Sequence, residues 1–450
     1  MNGFYKDIRA TLALGVPMVF AQICLMAMTL TDTIMVGRGA GTEALAAMAL
    51  ALGCLNVPAV ALSGFAGITS VLVAGAYGSG KTSEMPSILR HAMAASVVVT
   101  AIIMGGACLL FDHLEWFGLL GQPQHVVNAA RPFAHLYSLA VICYTAASNF
   151  RAYCEAQNRP WISLGVVFAT IFVNGFLDWI FVFGRLGVPA MGLVGAGLAT
   201  LTSSFLELLA LGAIVLKIRS LNLPARQLFR FDFARAQIVR FMKLGAATSA
   251  QIGIEMVSYA VLALIAGRFG AATLAAYHVT FQVASLAFMV PLGLSFAVAI
   301  RVSQASCAGD RVAVRRICAS SLAFALAWMS VSMIAILTLH NFIPRLFTHD
   351  PAVVALASTF LIVAGIFQLF DGVQCTSIGA LRGLRDVYRP TLLVIAIYWL
   401  CEIPLAFALA LWTRLGGLGV WLAMMTALML SAACLSARLM RITAVQKHAE

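Results

Sequence analysis

The chain has 450 residues, of which 62% are hydrophobic and 10% charged, with a formal net charge of +12. Its mean hydropathy is +0.96. Soluble domains carry charge on roughly a quarter of their residues, so this composition excludes an ordinary solution protein and predicts an all-α integral membrane protein.

A spanning helix needs about 20 mostly apolar residues. Twelve such runs occur, at 11–35, 45–76, 91–111, 128–150, 161–183, 190–216, 241–266, 275–300, 317–339, 352–380, 390–412 and 417–440. The first follows two basic residues and contains Pro17 and Asp32. It is too long for a signal-peptide core, which predicts a retained span. Pro17, Pro58, Pro291 and Pro404 lie inside runs and each frees a carbonyl, permitting a bend. The ten cysteines are scattered and form no Cys-x-x-Cys pair, so zinc, iron–sulfur and disulfide frameworks have little support.

With twelve spans, both termini share one face. That face carries 23 of the 29 Lys and Arg residues, seven of them between Lys217 and Lys243. The opposite face holds six: Arg38, Arg131, Arg185, Arg268, Arg345 and Arg414. Short loops rich in Lys and Arg stay cytoplasmic, so both termini are predicted in the cytoplasm, in a multi-pass protein of the inner (plasma) membrane. The positive charge is topology and implies no nucleic-acid partner.

The sequence repeats with an offset near 230 residues. Ala13-Leu-Gly-Val-Pro-Met-Val-Phe-Ala-Gln22 is matched by Lys243-Leu-Gly-Ala-Ala-Thr-Ser-Ala-Gln251. Gly37-Arg38 is matched by Gly267-Arg268, and Val57-Pro58 by Val290-Pro291. Phe150-Arg-Ala-Tyr-Cys-Glu155 corresponds to Leu381-Arg-Gly-Leu-Arg-Asp386, each leading into Arg-Pro, and Gly192-Leu-Val-Gly195 corresponds to Gly416-Gly-Leu-Gly419. Matches in one conserved order predict duplication. Because six is even, the halves run in parallel, as two six-helix lobes related by a pseudo-twofold along the membrane normal. The expected division is an N-lobe at 1–216, a cytoplasmic linker at 217–240 and a C-lobe at 241–450.

Six carboxylates fall inside the runs: Asp32, Asp178, Glu207, Glu255, Asp371 and Glu402. A charge at mid-bilayer costs about 2.5–3.5 kcal/mol even on the mildest scale, and no run interior holds a Lys or Arg. Each carboxylate therefore needs a proton, a cation or water. Asn174 and Asp178 share a helical face and with Asp32 can offer oxygens to Na⁺ or a proton. Gln251, Glu255 and Ser258 share a face of the seventh run, and Asp371 lies with Gln368 and Gln374 on the tenth. Glu207, near a cytoplasmic end, can reach interfacial water by snorkelling. Glu402 has no assigned part. Trp179, Trp399 and Tyr398 are expected at lipid or in an interfacial belt.

At these residues the chain resembles the multidrug and toxic compound extrusion family, in its NorM-like bacterial branch. The resemblance spans nearly the whole chain. Its marks include Thr31-Asp-Thr-Ile-Met-Val-Gly37, Gly78-Ser-Gly-Lys81 and Asn174 with Asp178. Further on come Gly192-Leu-Val-Gly-Ala-Gly-Leu-Ala-Thr200, Arg301-Val-Ser-Gln304, Glu255 and Asp371 through Gly379-Ala-Leu-Arg-Gly383. It implies an antiporter without cofactor or enzymatic step, exchanging Na⁺ or H⁺ inward for cationic amphipathic drugs outward by alternating access, acting as a monomer in the bilayer. It further implies an N-lobe cation or proton site at Asp32, Asn174, Asp178 and Thr200, and a C-lobe Na⁺ site at Glu255 and Asp371. Phe367 stands where some relatives have Tyr, which removes one oxygen from the C-lobe set. Gln251, Gln282, Phe288 and Gln368 are candidate cavity residues, and Phe281, Met256 and Met289 add surface that suits flat cations.

A lipid-linked precursor flippase of related lobed architecture is the alternative. It would want bases where this chain has acids. An intramembrane enzyme would need a nucleophile–base or metal cluster, and His91, His278 and His340 are too dispersed. There is no Walker A sequence to support ATP hydrolysis.

Overall fold

The computed structural model describes residues 2–113, 123–218, 221, 223–228, 232 and 234–445. These residues form twelve helices long and apolar enough to cross a membrane. They are α1 (Asn2–Gly39), α2 (Gly41–Gly78), α3 (Met85–Asp112), α4 (Gln124–Ala156), α5 (Pro160–Phe181) and α6 (Gly192–Lys217). The second six are α7 (Arg235–Gly267), α8 (Ala271–Cys307), α9 (Arg311–Leu339), α10 (Pro351–Gly383), α11 (Tyr388–Leu411) and α12 (Gly417–Val445).

Most helices outrun their apolar stretch, because hydrogen bonding continues into the interface until a stop or start residue intervenes. Asp310 caps α9 by accepting from the Ala313 N–H at 2.8 Å, and Asp350 caps α10 by accepting from Ala352 N–H at 2.9 Å. Pro160 and Pro351 open α5 and α10 at the first turn, where a missing N–H costs nothing. In α11 the segment Ile397–Glu402 widens into a π-helical turn just ahead of Pro404. Proline removes the bond to the carbonyl four residues back and crowds it, and the wider turn accommodates this.

Contacts divide the chain into two units: Phe20–Ser249, and Met1–Val19 with Ala250–Glu450. Inside the first, α4 packs on α2, α3 and α6, and α5 packs on α6. Inside the second, α10 packs on α8, α9 and α12, and α11 packs on α12. The two lists match helix for helix, as duplication requires. This division is offset from the expected boundaries at 1–216 and 241–450, since the opening of α1 goes with the second unit and the opening of α7 with the first.

Equivalent residues carry that exchange. On α1, a Cβ at Gly15 would stand 3.5 Å from the Ala297 Cβ and 3.7 Å from Leu294 of α8. On α7, a Cβ at Gly245 would overlap the ring of Phe65 on α2. Leu14-Gly15 and Leu244-Gly245 are one repeat apart, so each duplicated segment seats its glycine against the second helix of the opposite half. Polar contacts hold the α1 end. Arg301 on α8 donates to the Asp7 carboxylate at 2.8 Å and to Asp7 O at 2.7 Å, while Arg316 on α9 also pairs with Asp7.

Within the expected linker, residues 219, 220, 222, 229–231 and 233 lie outside the described residues. The remainder, with its one-turn helix Ala225–Leu228, is fastened to the first unit. Arg90 on α3 donates to Gln227 O at 3.0 Å and Asp232 O at 2.6 Å. The neighbouring His91 accepts from Ala234 N–H at 2.9 Å.

Glu207 does not reach interfacial water as expected from its position near a helix end. Because α4 continues past residue 150, Arg151 lies inside the helix and faces Glu207 on α6, N to O 3.6 Å, with Glu207 only 3% exposed. The guanidinium also sits over the Tyr144 ring, 4.9 Å from its centroid. Glu207 is thus paired within the protein and does not snorkel.

Candidate functional site

In the first unit, α1 brings Asp32, α5 brings Asn174 and Asp178, and α6 brings Thr200. Asp32 is 8% exposed, whereas Asn174 and Asp178 are fully buried. Asp178, Thr200 and Asn174 all lie beside the Asp32 carboxyl, so the structure gathers the four residues singled out in this half. Asn174 and Asp178 meet Asp32 together because they are one turn apart on α5.

Hydrogen bonding at this cluster is incomplete. Asp32 Oδ1, both Asp178 carboxylate oxygens and both Asn174 amide atoms are buried without a hydrogen-bond partner. Thr200 approaches Asp32 Oδ2 at 3.5 Å, but its hydroxyl also donates to Ala196 O at 2.9 Å. A hydroxyl has one hydrogen. With that hydrogen on the shorter bond, the Asp32 oxygen faces a lone pair. Among the described residues, no Lys or Arg forms an ion pair with Asp32 or Asp178. Buried polar atoms are normally satisfied, and the four oxygens among these five atoms form a cradle suited to a small positive guest.

The second unit is arranged differently. Glu255 on α7 accepts at Oε1 from Tyr398 Oη at 3.1 Å, Gln374 Nε2 at 3.4 Å and Tyr259 Oη at 3.5 Å. Glu402, on the π turn of α11, accepts from Ser258 Oγ at 2.7 Å. Its other oxygen is buried without a partner, and the residue is 1% exposed. Asp371 is half-buried on α10, three residues before Gln374. Phe367 packs against Trp421, with ring centroids 5.8 Å apart, and so belongs to the aromatic core of this unit.

Sequence reasoning missed Tyr398. It is fully buried and directed at Glu255, not at lipid, whereas Trp399 next to it is 41% exposed. The available signal was its spacing, four residues before Glu402 in a run otherwise apolar. Tyr259, four after Glu255, was equally readable. Among the cavity candidates, Gln368 is fully buried and donates to Ala284 O at 3.2 Å, tying α10 to α8. Gln251 is buried, Phe288 half-buried and Gln282 exposed, and no described contact joins the four. Phe281 packs against Tyr259 and Tyr277.

The chain matches the MatE family over residues 17–180 and 248–408. It belongs to that family. The two matched stretches fall one in each repeat. A probable multidrug resistance protein NorM from Mesorhizobium japonicum is 32% identical, over 98% of this chain and 95% of its own. A NorM-named protein from Neisseria meningitidis is 29% identical, over 96% and 94%. A crystal structure of a mutant of the Vibrio cholerae MATE transporter VcmN superposes with a TM-score of 0.89 at 16% identity, covering 100% of this chain and 99% of that one. A MOP superfamily transporter from Pyrococcus furiosus gives 0.88 at 18% identity, covering 98% and 97%. MatE proteins are multi-pass transporters, not enzymes, and this chain is a NorM-like member with their fold.

Proposed function

We propose that this MatE protein is a secondary active multidrug exporter of the inner membrane. It exchanges Na⁺ or H⁺ inward for cationic amphipathic compounds outward by alternating access, with lobes at 1–216 and 241–450 and both termini cytoplasmic. The relatives' name, multidrug resistance protein NorM, supports the substrate class. The observation that carries the coupling is the set of four buried, unpartnered oxygens at Asp32, Asn174 and Asp178.

In this mechanism Asp32 and Asp178 hold the incoming cation or proton, the Asn174 amide oxygen and the Thr200 hydroxyl complete the cradle, and the exported cation competes for the same negative charge. Competition links the two fluxes, because a guest that weakens drug binding is itself displaced by drug. Glu255 and Asp371 form the second cation site in the C-lobe. The protein acts as a single chain and needs no resident cofactor.

Ethidium efflux from vesicles under separately imposed Na⁺ and pH gradients tests the reading. Wild type should respond to at least one gradient and Asp32→Asn to neither, since an amide keeps the shape but carries no charge. Wild-type rates in Asp32→Asn under both gradients would sink the coupling role.

A further inference from the structure

We infer that the connection between α9 and α10 is a binding site for the phosphodiester headgroup of an anionic phospholipid. A cavity of about 680 Å³ opens there. From the connection it is lined by His340, Arg345, Thr348 and His349, and from the first turns of α10 by Ser358 and Thr359. The site is independent of the carboxylate clusters and of the transport reading.

The lining residues provide one guanidinium, two imidazoles and several hydroxyls together. Arg345 is exposed, and among the described residues no carboxylate pairs with it. A guanidinium presents a fork of N–H donors matched to phosphate oxygens. His340 Nδ1 donates to Leu337 O at 2.8 Å, which fixes its ring at the cavity wall, and Arg345 is the group that presents N–H donors to an anion. The N-terminus of α10 is already capped by Asp350, so Arg345 and the hydroxyls, not the helix end, provide the attraction.

Apolar groups decide between a lipid and free phosphate. Val354 and Ile362 line the same cavity, and Phe342, Leu346 and Phe347 on the connection are 55%, 68% and 51% exposed. The short 3₁₀ helix Ile343–Leu346 thus holds Arg345 at the cavity with exposed apolar neighbours on either side. A headgroup with acyl chains uses both parts, and inorganic phosphate uses only one. Helix parity puts this connection on the face opposite the termini, where Arg345 is one of only six Lys and Arg residues. On a face so poor in bases, a guanidinium grouped with two imidazoles is a local feature and not part of a general positive field.

Native mass spectrometry of the purified full chain tests the site, with phosphatidylglycerol and phosphatidylcholine added in equal amounts. Wild type should retain phosphatidylglycerol in preference. Arg345→Ala should lower that preference by about fivefold, the equivalent of ~1 kcal/mol, and adding His349→Ala should lower it further by removing a ring hydrogen-bonding group. Arg345→Lys should keep most of it, and Arg414→Ala, on the same face but outside the cavity, should keep all of it. Equal retention of the two lipids by wild type, or unchanged preference in the double variant, would overturn the assignment. Displacement of the lipid by an equal concentration of inorganic phosphate would overturn it in favour of a free-phosphate site.

Discussion

The carboxylates of the two units differ in what the protein itself supplies to them. Asp32 and Asp178 are surrounded by oxygens and an amide that leave one another unsatisfied. Glu255 receives three donors, from Tyr398, Gln374 and Tyr259, and Glu402 receives one from Ser258. Donor hydrogens directed at a carboxylate stabilise its negative charge. The first cluster leaves its buried oxygens open, whereas the second directs donors at Glu255 Oε1 and leaves one Glu402 oxygen buried without a partner. Duplicated halves have kept the helix arrangement and diverged in this chemistry.

The comparison can be broken most directly at Asp32. Asp32→Asn should abolish ethidium efflux under both gradients, and drug binding in detergent, which should weaken as pH falls in wild type, should become less dependent on pH. Asp371→Asn should have a narrower effect, removing Na⁺-driven efflux while leaving the proton-driven component. Loss of both components in that variant would show the two clusters acting as one. Tyr398→Phe should act on stability before transport. It removes the shortest of three donors to Glu255, a hydrogen bond worth about 0.5–1.5 kcal/mol net, and should lower the thermal unfolding midpoint in detergent with efflux reduced but present. An unchanged midpoint would show that the Tyr398 hydroxyl is dispensable to the second cluster. The smallest effect is expected from Arg226→Gln with Arg230→Gln, where normal efflux at equal membrane level places the linker outside the pathway.

Hydropathy made the twelve spans legible, since crossing a bilayer constrains composition more than pattern. The Asp32, Asn174 and Asp178 group was legible for a related reason: a carboxylate in an apolar run stands out, and spacing on α5 put two of its members on one face. What sequence could not supply was orientation set by distant partners. Tyr398 and Trp399 are adjacent in one run, and only the donors and acceptors on α7 and α10 decide which of them turns inward. Arg151 was hidden because apolar character ends before the helix does. The π turn at Glu402 was hidden because Pro404 permits several local adjustments, and packing selects among them.

The exchanged openings of α1 and α7 constrain the order in which the protein can be assembled. Chains emerge from the ribosome N-terminus first, and domains generally fold as they appear. Residues 1–19 pack with Ala250–Glu450, so they leave the ribosome long before their partners exist. The Phe20–Ser249 unit can close only once Arg235–Ser249 has been made, well after its last full span. Truncation at residue 216 would remove the segment that seats Gly245 against Phe65 and leave the opening of α1 without its Arg301 contacts. Each half of the sequence thus carries a segment that packs with the unit built mainly from the other half, so a cut near residue 216 should leave both fragments without part of their packing.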